Sequence, residues 1–308
     1  MGRIRSAIEK LWLNAAGKSS RRRVAGGVLL AMFGLLGGCT SLTGFYFYPK
    51  QSWLQTPEDL GIRYDDVYLQ THDGTQVHGW WMNGLVDERA DSGRSEGAVQ
   101  ERPMVLFLHG NGENISTHIR SIAWLVYEGV DVFALDYRGY GASDGAAQLP
   151  AVLQDVEAAA GWLRGRFPDR RLVVLGQSFG GGLAVIFGHQ AAEKYQISAV
   201  VAESAPYAYS EAAREILSRN WLGWVVWPFA WFLPTEWDPR RFTEDYPVPI
   251  LLLHSKDDGV VAYHHGRDLR KAIGATACWQ ETTGPHIGGF ASEAVRAKTL
   301  EFIEITQC

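Results

Sequence analysis

The run Leu172-Val173-Val174-Leu175-Gly176-Gln177-Ser178-Phe179-Gly180-Gly181-Gly182 constrains this chain more than any other stretch. A β-branched apolar strand ends in Gly-x-Ser-x-Gly, and Leu183 to Phe187 follows at once with the pattern of a helix. Such a strand–turn–helix forces a serine hydroxyl out at the head of a helix, and the flanking glycines leave room for the strained backbone this needs. The helix N-terminus adds free amide donors and a partial positive charge near the hydroxyl. Taken alone, the pentapeptide equally describes an ordinary turn with a solvated serine. A histidine and an acid downstream separate the two.

The strands and helices around this point alternate. Tyr64 to Thr71 and Gln76 to Met82 read as a hairpin about the Asp73-Gly74 turn. Residues 83–102 read as a polar insertion loop. Met104 to Leu108 is a continuous apolar run, as expected of a parallel strand buried on both faces. Ile115, Ile119, Ile122 and Val126 follow at helical spacing. Val132 to Asp136 is the next strand, and a helix opened by Pro150 places Val152, Val156, Ala159 and Leu163 on one face. Beyond the serine come strands from Ile197 to Ala202, Val248 to Leu253 and Thr276 to Glu281, with helices from Ala262 to Ile273 and Ser292 to Ile305. The fold class is therefore α/β, a mainly parallel sheet with helices on both faces. Ligands in such sheets bind at the carboxyl ends of the strands, where the serine stands.

An isolated serine is a poor nucleophile, so acyl transfer needs a base beside it and an acid to orient that base. His286 lies in Thr283-Gly284-Pro285-His286, after the last strand and before the last helix. His264 and His265 head a helix and read as solvated or N-terminal residues, while His254 ends a strand and reads as structural. The acid is expected in the turn after the Val248 strand, where Asp258 stands three residues before Val261. Asp257 and, further away, Glu203 are its rivals. His109-Gly110-Asn111-Gly112 follows the Met104 strand, and Asn111 N–H with Phe179 N–H are the expected donors to a developing oxyanion. His109 reads as a brace for that loop.

Residues 1–38 are of another kind. Arg3, Arg5, Lys10, Lys18 and Arg21-Arg22-Arg23 precede an apolar run from Val24 to Leu36, and Leu36-Gly37-Gly38-Cys39 ends it. The pattern resembles a bacterial lipoprotein signal with Cys39 lipidated, and Ser20-Arg21-Arg22-Arg23 is loosely similar to a twin-arginine signal. The competing expectation is an uncleaved inner-membrane anchor, although the run is shorter than the ~20 residues of a spanning helix. Thr40 after the cysteine implies sorting to the outer membrane, facing the periplasm. This leader holds seven of the 29 Lys and Arg residues and one of the 34 acids, which leaves 22 basic against 33 acidic side chains. That balance argues against nucleic-acid partners. Residues 39–59, with Phe45-Tyr46-Phe47-Tyr48, tether the folded domain or pack beside its sheet, and the domain itself is expected over residues 60–308. Cys278 and Cys308 could pair in an oxidising compartment.

Four motifs together carry a resemblance: Leu108-His109-Gly110-Asn111-Gly112-Glu113-Asn114; Asp136-Tyr137-Arg138-Gly139-Tyr140-Gly141-Ala142-Ser143; Gly176-Gln177-Ser178-Phe179-Gly180-Gly181; and His254-Ser255-Lys256-Asp257-Asp258-Gly259-Val260-Val261. From about residue 60 onward the chain resembles the Bem46-like serine α/β-hydrolases, relatives of the serine aminopeptidase and monoglyceride-lipase-like group. The resemblance implies the α/β-hydrolase fold and Ser178, Asp258 and His286 as a triad. It departs from the family at Ala262, where proline is usual, and in the tryptophans of residues 207–246, where such folds insert a lid. Trp221, Trp224, Trp227, Trp231 and Trp237 either pack that lid or form an acyl pocket or membrane-facing cap.

The chemistry expected is cleavage of a carboxylic ester, thioester or lipid ester through an acyl-enzyme, on a small-molecule or lipid substrate, with membrane contact through the anchor at Cys39. Peptide hydrolysis by the same machinery is the second expectation, and a non-catalytic envelope binding module is the third. No motif calls for a metal or organic cofactor.

Overall fold

Continuous apolar runs become the centre of a sheet because they alone can be covered on both sides. The computed structural model describes residues 42–85, 103–219 and 227–307. Its strands are β1 (Tyr48–Pro49), β2 (Tyr64–Gln70), β3 (Gln76–Met82), β4 (Met104–Leu108), β5 (Gly112–Glu113), β6 (Asp131–Asp136), β7 (Leu172–Gln177), β8 (Ile197–Glu203), β9 (Ile250–Ser255) and β10 (Ala277–Thr282). Its helices are α1 (Ile115–Tyr127), α2 (Ala151–Arg166), α3 (Phe179–Ala191), α4 (Tyr209–Ser218), α5 (Tyr263–Ile273) and α6 (Glu293–Ile305). The main sheet runs β10-β9-β8-β7-β4-β6-β3-β2. Strands β10 through β6 are parallel, while β3 is antiparallel to both β6 and β2.

The two-residue period of a strand sorts the core into two halves. Leu106 and Leu108 of β4 face one cluster with Val152 and Val156 of α2, Leu183 of α3 and Leu269 of α5. Val105 and Phe107 face the other, with Ile115 to Val126 of α1 and Val295 and Phe302 of α6. Helices thus cover both faces, and this is the α/β-hydrolase architecture. The β2–β3 turn uses Gly74 at φ 82°, which a residue with a Cβ adopts reluctantly.

Several boundaries differ from those expected. Strand β9 starts at Ile250 rather than Val248, because Pro249 has no N–H to give the ladder; its carbonyl still accepts from Val200. Pro150 stands one residue outside α2, as its cap. The segment from Leu42 is packed rather than a free tether. Tyr46 and Phe47 are buried in the core, and β1 pairs with β5 beside the His109 loop.

Of residues 207–246, α4 and 3-10 turns at Trp227–Phe232 and Pro239–Phe242 are described. The buried carboxylate of Asp238 fastens the start of α4, accepting from Ser210 N–H at 3.1 Å and Ser210 Oγ–H at 2.8 Å. Trp231 is exposed and lies under the guanidinium of Arg214, 5.0 Å from ring centre to Cζ. Trp237 stacks on Phe242. Trp221, Trp224, Cys39, Cys308 and most of the 83–102 loop lie outside the described residues. Cys278, on β10, is disulfide-bonded. Among the described residues no helix is long and apolar enough to cross a membrane.

Candidate active site

Ser178 separates β7 from α3 with φ 55° and ψ −120°, a left-handed backbone that a β-carbon resists. Three features hold it there. Its N–H donates to Glu203 O at 2.8 Å. A Cβ on Gly176 would come 2.1 Å from Gly180 O, and one on Gly180 would come 2.2 Å from Leu108 O. Both flanking positions therefore admit glycine alone at this spacing, and the turn is sharp because backbone packs on backbone.

The two loops expected downstream converge on it. His286 Nε2 lies 2.8 Å from Ser178 Oγ, and its Nδ1 lies 2.9 and 2.8 Å from the two oxygens of Asp258. With Nδ1–H donating to a carboxylate, Nε2 holds the lone pair that faces the serine proton. The Asp258 side chain has no solvent exposure, and its Oδ1 also accepts Val260 and Val261 N–H at 2.8 and 2.9 Å. Burial pushes the Asp258 carboxyl up, but the hydrogen bond and charge of His286 and the Val260 N–H outweigh it, leaving the pKa below the ordinary carboxylate value. With a buried, ionised acid behind it, an imidazole placed this way can take the proton of the serine hydroxyl during attack on an acyl carbon.

The rival acids have other partners. Asp257 Oδ2 accepts Gly284 N–H at 3.1 Å, at the base of the histidine loop. Glu203, buried at the end of β8, accepts from Gln177 Nε2 at 2.6 Å and Gly289 N–H at 2.7 Å. It ties the serine turn to the histidine loop without touching the imidazole. Its role was not legible in sequence, because its partners are a backbone amide and a neutral side chain.

The backbone amides of Phe179 and Asn111 both belong to segments that adjoin Ser178. The Phe179 N–H is the first of α3 and has no carbonyl within the helix to bind. The Asn111 loop lies against the serine: a Cβ on Gly110 would stand 3.6 Å from Ser178 Cβ. His109 does brace this loop. It is buried, its Nδ1 donates to Gly110 O at 2.7 Å, and its ring stacks on Tyr137 at 4.3 Å. Burial holds its pKa well below the ordinary histidine value, so it is neutral. His254 is structural, its Nε2–H donating to Val261 O at 2.9 Å.

His265 is N-terminal on its helix, as one of its two readings had it, but it is not solvated. It is fully buried at the start of α5, and burial followed by the neighbouring His264 lowers its pKa to about 3. Glu215 of α4, His264 and His265 bring three potential ligand atoms within 4.8 Å of one another. The geometry opposes a metal there. Tyr207 N–H donates to His265 Nδ1 at 3.1 Å, so Nε2 carries the ring proton and has no lone pair to offer. That proton points at Glu215 Oε2, 3.6 Å away, and the trio bridges α4 to α5.

The chain is similar to known proteins over the same region. A family model described as serine aminopeptidase, S33, matches residues 99–245, a span that holds Asn111, Ser178 and Phe179 and ends before Asp258 and His286. The uncharacterized protein YfhR of Salmonella typhi is 29% identical over 241 residues, 74% of this chain and 75% of that one. The lysophosphatidylserine lipase ABHD12 of Rattus norvegicus is 26% identical over 70% of this chain and 58% of its own. The esterase Pf2001 of Pyrococcus furiosus superposes with a TM-score of 0.67 at 22% identity, covering 84% of this chain and 97% of that chain. That last likeness is one of fold. Sheet order, the glycine-flanked turn and these likenesses together make this chain an α/β-hydrolase in fold, similar over residues 99–245 to the serine aminopeptidase S33 family.

Proposed function

We propose that the protein is a serine hydrolase that cleaves carboxylic ester, thioester or lipid-ester bonds through an acyl-enzyme. The observation that carries this reading is the unbroken hydrogen-bond chain from Ser178 Oγ through His286 to Asp258. Ser178 Oγ attacks the acyl carbon while His286 Nε2 takes its proton. Asp258 holds the imidazole in the required tautomer and balances the imidazolium charge. The N–H groups of Asn111 and Phe179 receive the oxyanion, a contribution of ~2.7–4 kcal/mol per donor in related chemistry. His286 then protonates the leaving group, and water reverses the sequence to free the acid and restore Ser178.

Ester and lipid-ester relatives support an acyl substrate, and the aromatic residues at 227–246 support an apolar one. Profiling p-nitrophenyl esters from acetate to palmitate tests this, since a preference for acetate with no gain at longer chains would overturn an acyl pocket. A fluorophosphonate probe that labels the wild type and spares Ser178→Ala tests the nucleophile. An intact, folded protein that resists the probe would point instead to a binding module. The family description favours amide hydrolysis as the second reading, and aminoacyl p-nitroanilides turned over faster than esters would establish it.

The leader supports export to the bacterial envelope, with lipid at Cys39 and the domain facing the periplasm from the outer membrane. Cys39→Ser then abolishes processing and membrane fractionation; unchanged fractionation of that variant would favour an inner-membrane anchor.

A further inference from the structure

The chain just past the leader runs across the loop that supplies the first oxyanion donor. Tyr48 N–H donates to Asn111 O at 2.9 Å, and β1 pairs with Gly112 and Glu113 immediately beyond. Lys50 N–H donates to Glu113 O at 3.0 Å, and the Lys50 ammonium meets the Glu113 carboxylate at 2.8 Å. Asn111 Nδ2 donates back to Tyr46 O at 3.1 Å. A second contact comes from the glycine-rich loop after β6. The buried Tyr140 hydroxyl donates to Asn111 O at 2.6 Å and accepts Tyr48 N–H at 3.2 Å.

Asn111 is therefore gripped by its carbonyl and its carboxamide, and both grips come from residues far away in sequence. Those two grips fix the carbonyl and the side chain on the Asn111 Cα, and Gly110 O, which shares a planar peptide with the Asn111 N–H, accepts His109 Nδ1–H at 2.7 Å, so that amide has little freedom left to turn. An oxyanion donor is effective when it is already aimed before charge develops, so such a grip acts on the transition state rather than on substrate binding.

We propose that the strap Tyr46–Lys50 and the Tyr140 hydroxyl are positioning residues that hold the Asn111 N–H on the oxyanion. This rests on the serine-hydrolase reading above. The segment adjoining the leader thus completes the active site of the domain it would otherwise merely tether.

The test uses the full-length chain with p-nitrophenyl butyrate and a trifluoromethyl ketone, which forms an oxyanion on the serine. Tyr140→Phe keeps the ring and removes one donor. It is expected to lower kcat by about tenfold, short of the ~100-fold of losing a donor outright. KM stays within about twofold, and the ketone Ki rises by the factor that kcat falls, as expected of an interaction made in the transition state. Asn111→Ala, which frees the carboxamide grip and leaves the N–H, shows the same split. Tyr127→Phe, which loses a hydroxyl contact to Leu60 O elsewhere on the surface, leaves all three constants unchanged. A Tyr140→Phe enzyme with unaltered kcat and Ki overturns the proposal, as does a rise in KM at constant kcat. A wild type that the fluorophosphonate fails to label overturns the hydrolase reading itself, so the two failures are distinguishable.

Discussion

The Gly289 N–H donates to Glu203 Oε1 at 2.7 Å, tying the loop that carries His286 to the carboxyl end of β8. The other oxygen of Glu203 accepts from Gln177, the residue before Ser178, at 2.6 Å. One buried carboxylate thus spans the serine turn and the histidine loop, whose mutual distance decides whether a proton can move. Glu203→Ala leaves two buried donors unsatisfied, each worth about 1–3 kcal/mol. The expected result is a lower denaturation midpoint together with a fall in kcat, measured by urea unfolding and steady-state kinetics. An unchanged midpoint would show that water replaces the carboxylate.

Asp258→Asn tests the tautomer argument. Oδ1 accepts two backbone N–H groups, so the asparagine oxygen takes that place and its NH2 faces His286 Nδ1. The imidazole must then protonate Nε2 and can no longer take the serine proton. By analogy with the same change in chymotrypsin-type enzymes, kcat falls ~10⁴-fold with the fold intact. Circular dichroism alongside ester kinetics checks both halves.

Gly180→Ala places a methyl group 2.2 Å from Leu108 O and 2.3 Å from His109 O, both backbone atoms that cannot swing aside. The turn must open, moving Ser178 and the Asn111 loop together. Overpacking of this kind costs about 1–3 kcal/mol. Thermal unfolding should register that loss, and activity should fall further than stability.

Asp136 predicts a pH dependence of stability. Burial raises its pKa from 3.8 to about 7, partly offset by the Ile115 N–H. Because the folded value lies above the unfolded one, its contribution is fully present below pH 4. It is lost as pH rises through about 7. Asp136→Asn keeps an acceptor for Ile115 N–H and removes the titration. The wild type should therefore lose roughly 2–4 kcal/mol relative to the variant between pH 4 and 8. Urea unfolding of both proteins across that range measures it, and parallel curves would contradict the assignment.

Much of this arrangement was legible in the chain, and for particular reasons. The runs Met104 to Leu108 and Leu172 to Leu175 announce central strands, since a short, continuous apolar run suits a strand covered on both faces. The order of Ser178, Asp258 and His286, each just past a strand, already placed them at one end of the sheet. Between Asp257 and Asp258 the sequence offered a pattern rather than a proof. Geometry decides, because the turn aims one carboxylate at His286 and the other at Gly284 N–H.

Other features had no local signature. His265 sits at a helix start where solvent is the natural expectation, yet α4 folds over it. The aromatic segment from Phe45 gave no sign that its backbone would hold Asn111. The amino-acid sequence by itself determined the strand–helix alternation, the strained serine turn and which side chains are candidates for the proposed chemistry. These depend on residue size, on the absence of a Cβ and on side-chain chemistry within a few positions. Only the tertiary structure decided which acid meets the histidine, how Glu203 joins the two loops and what steadies Asn111. Those are contacts between backbone atoms or buried polar groups far apart in the chain, and only the folded sheet sets their distances.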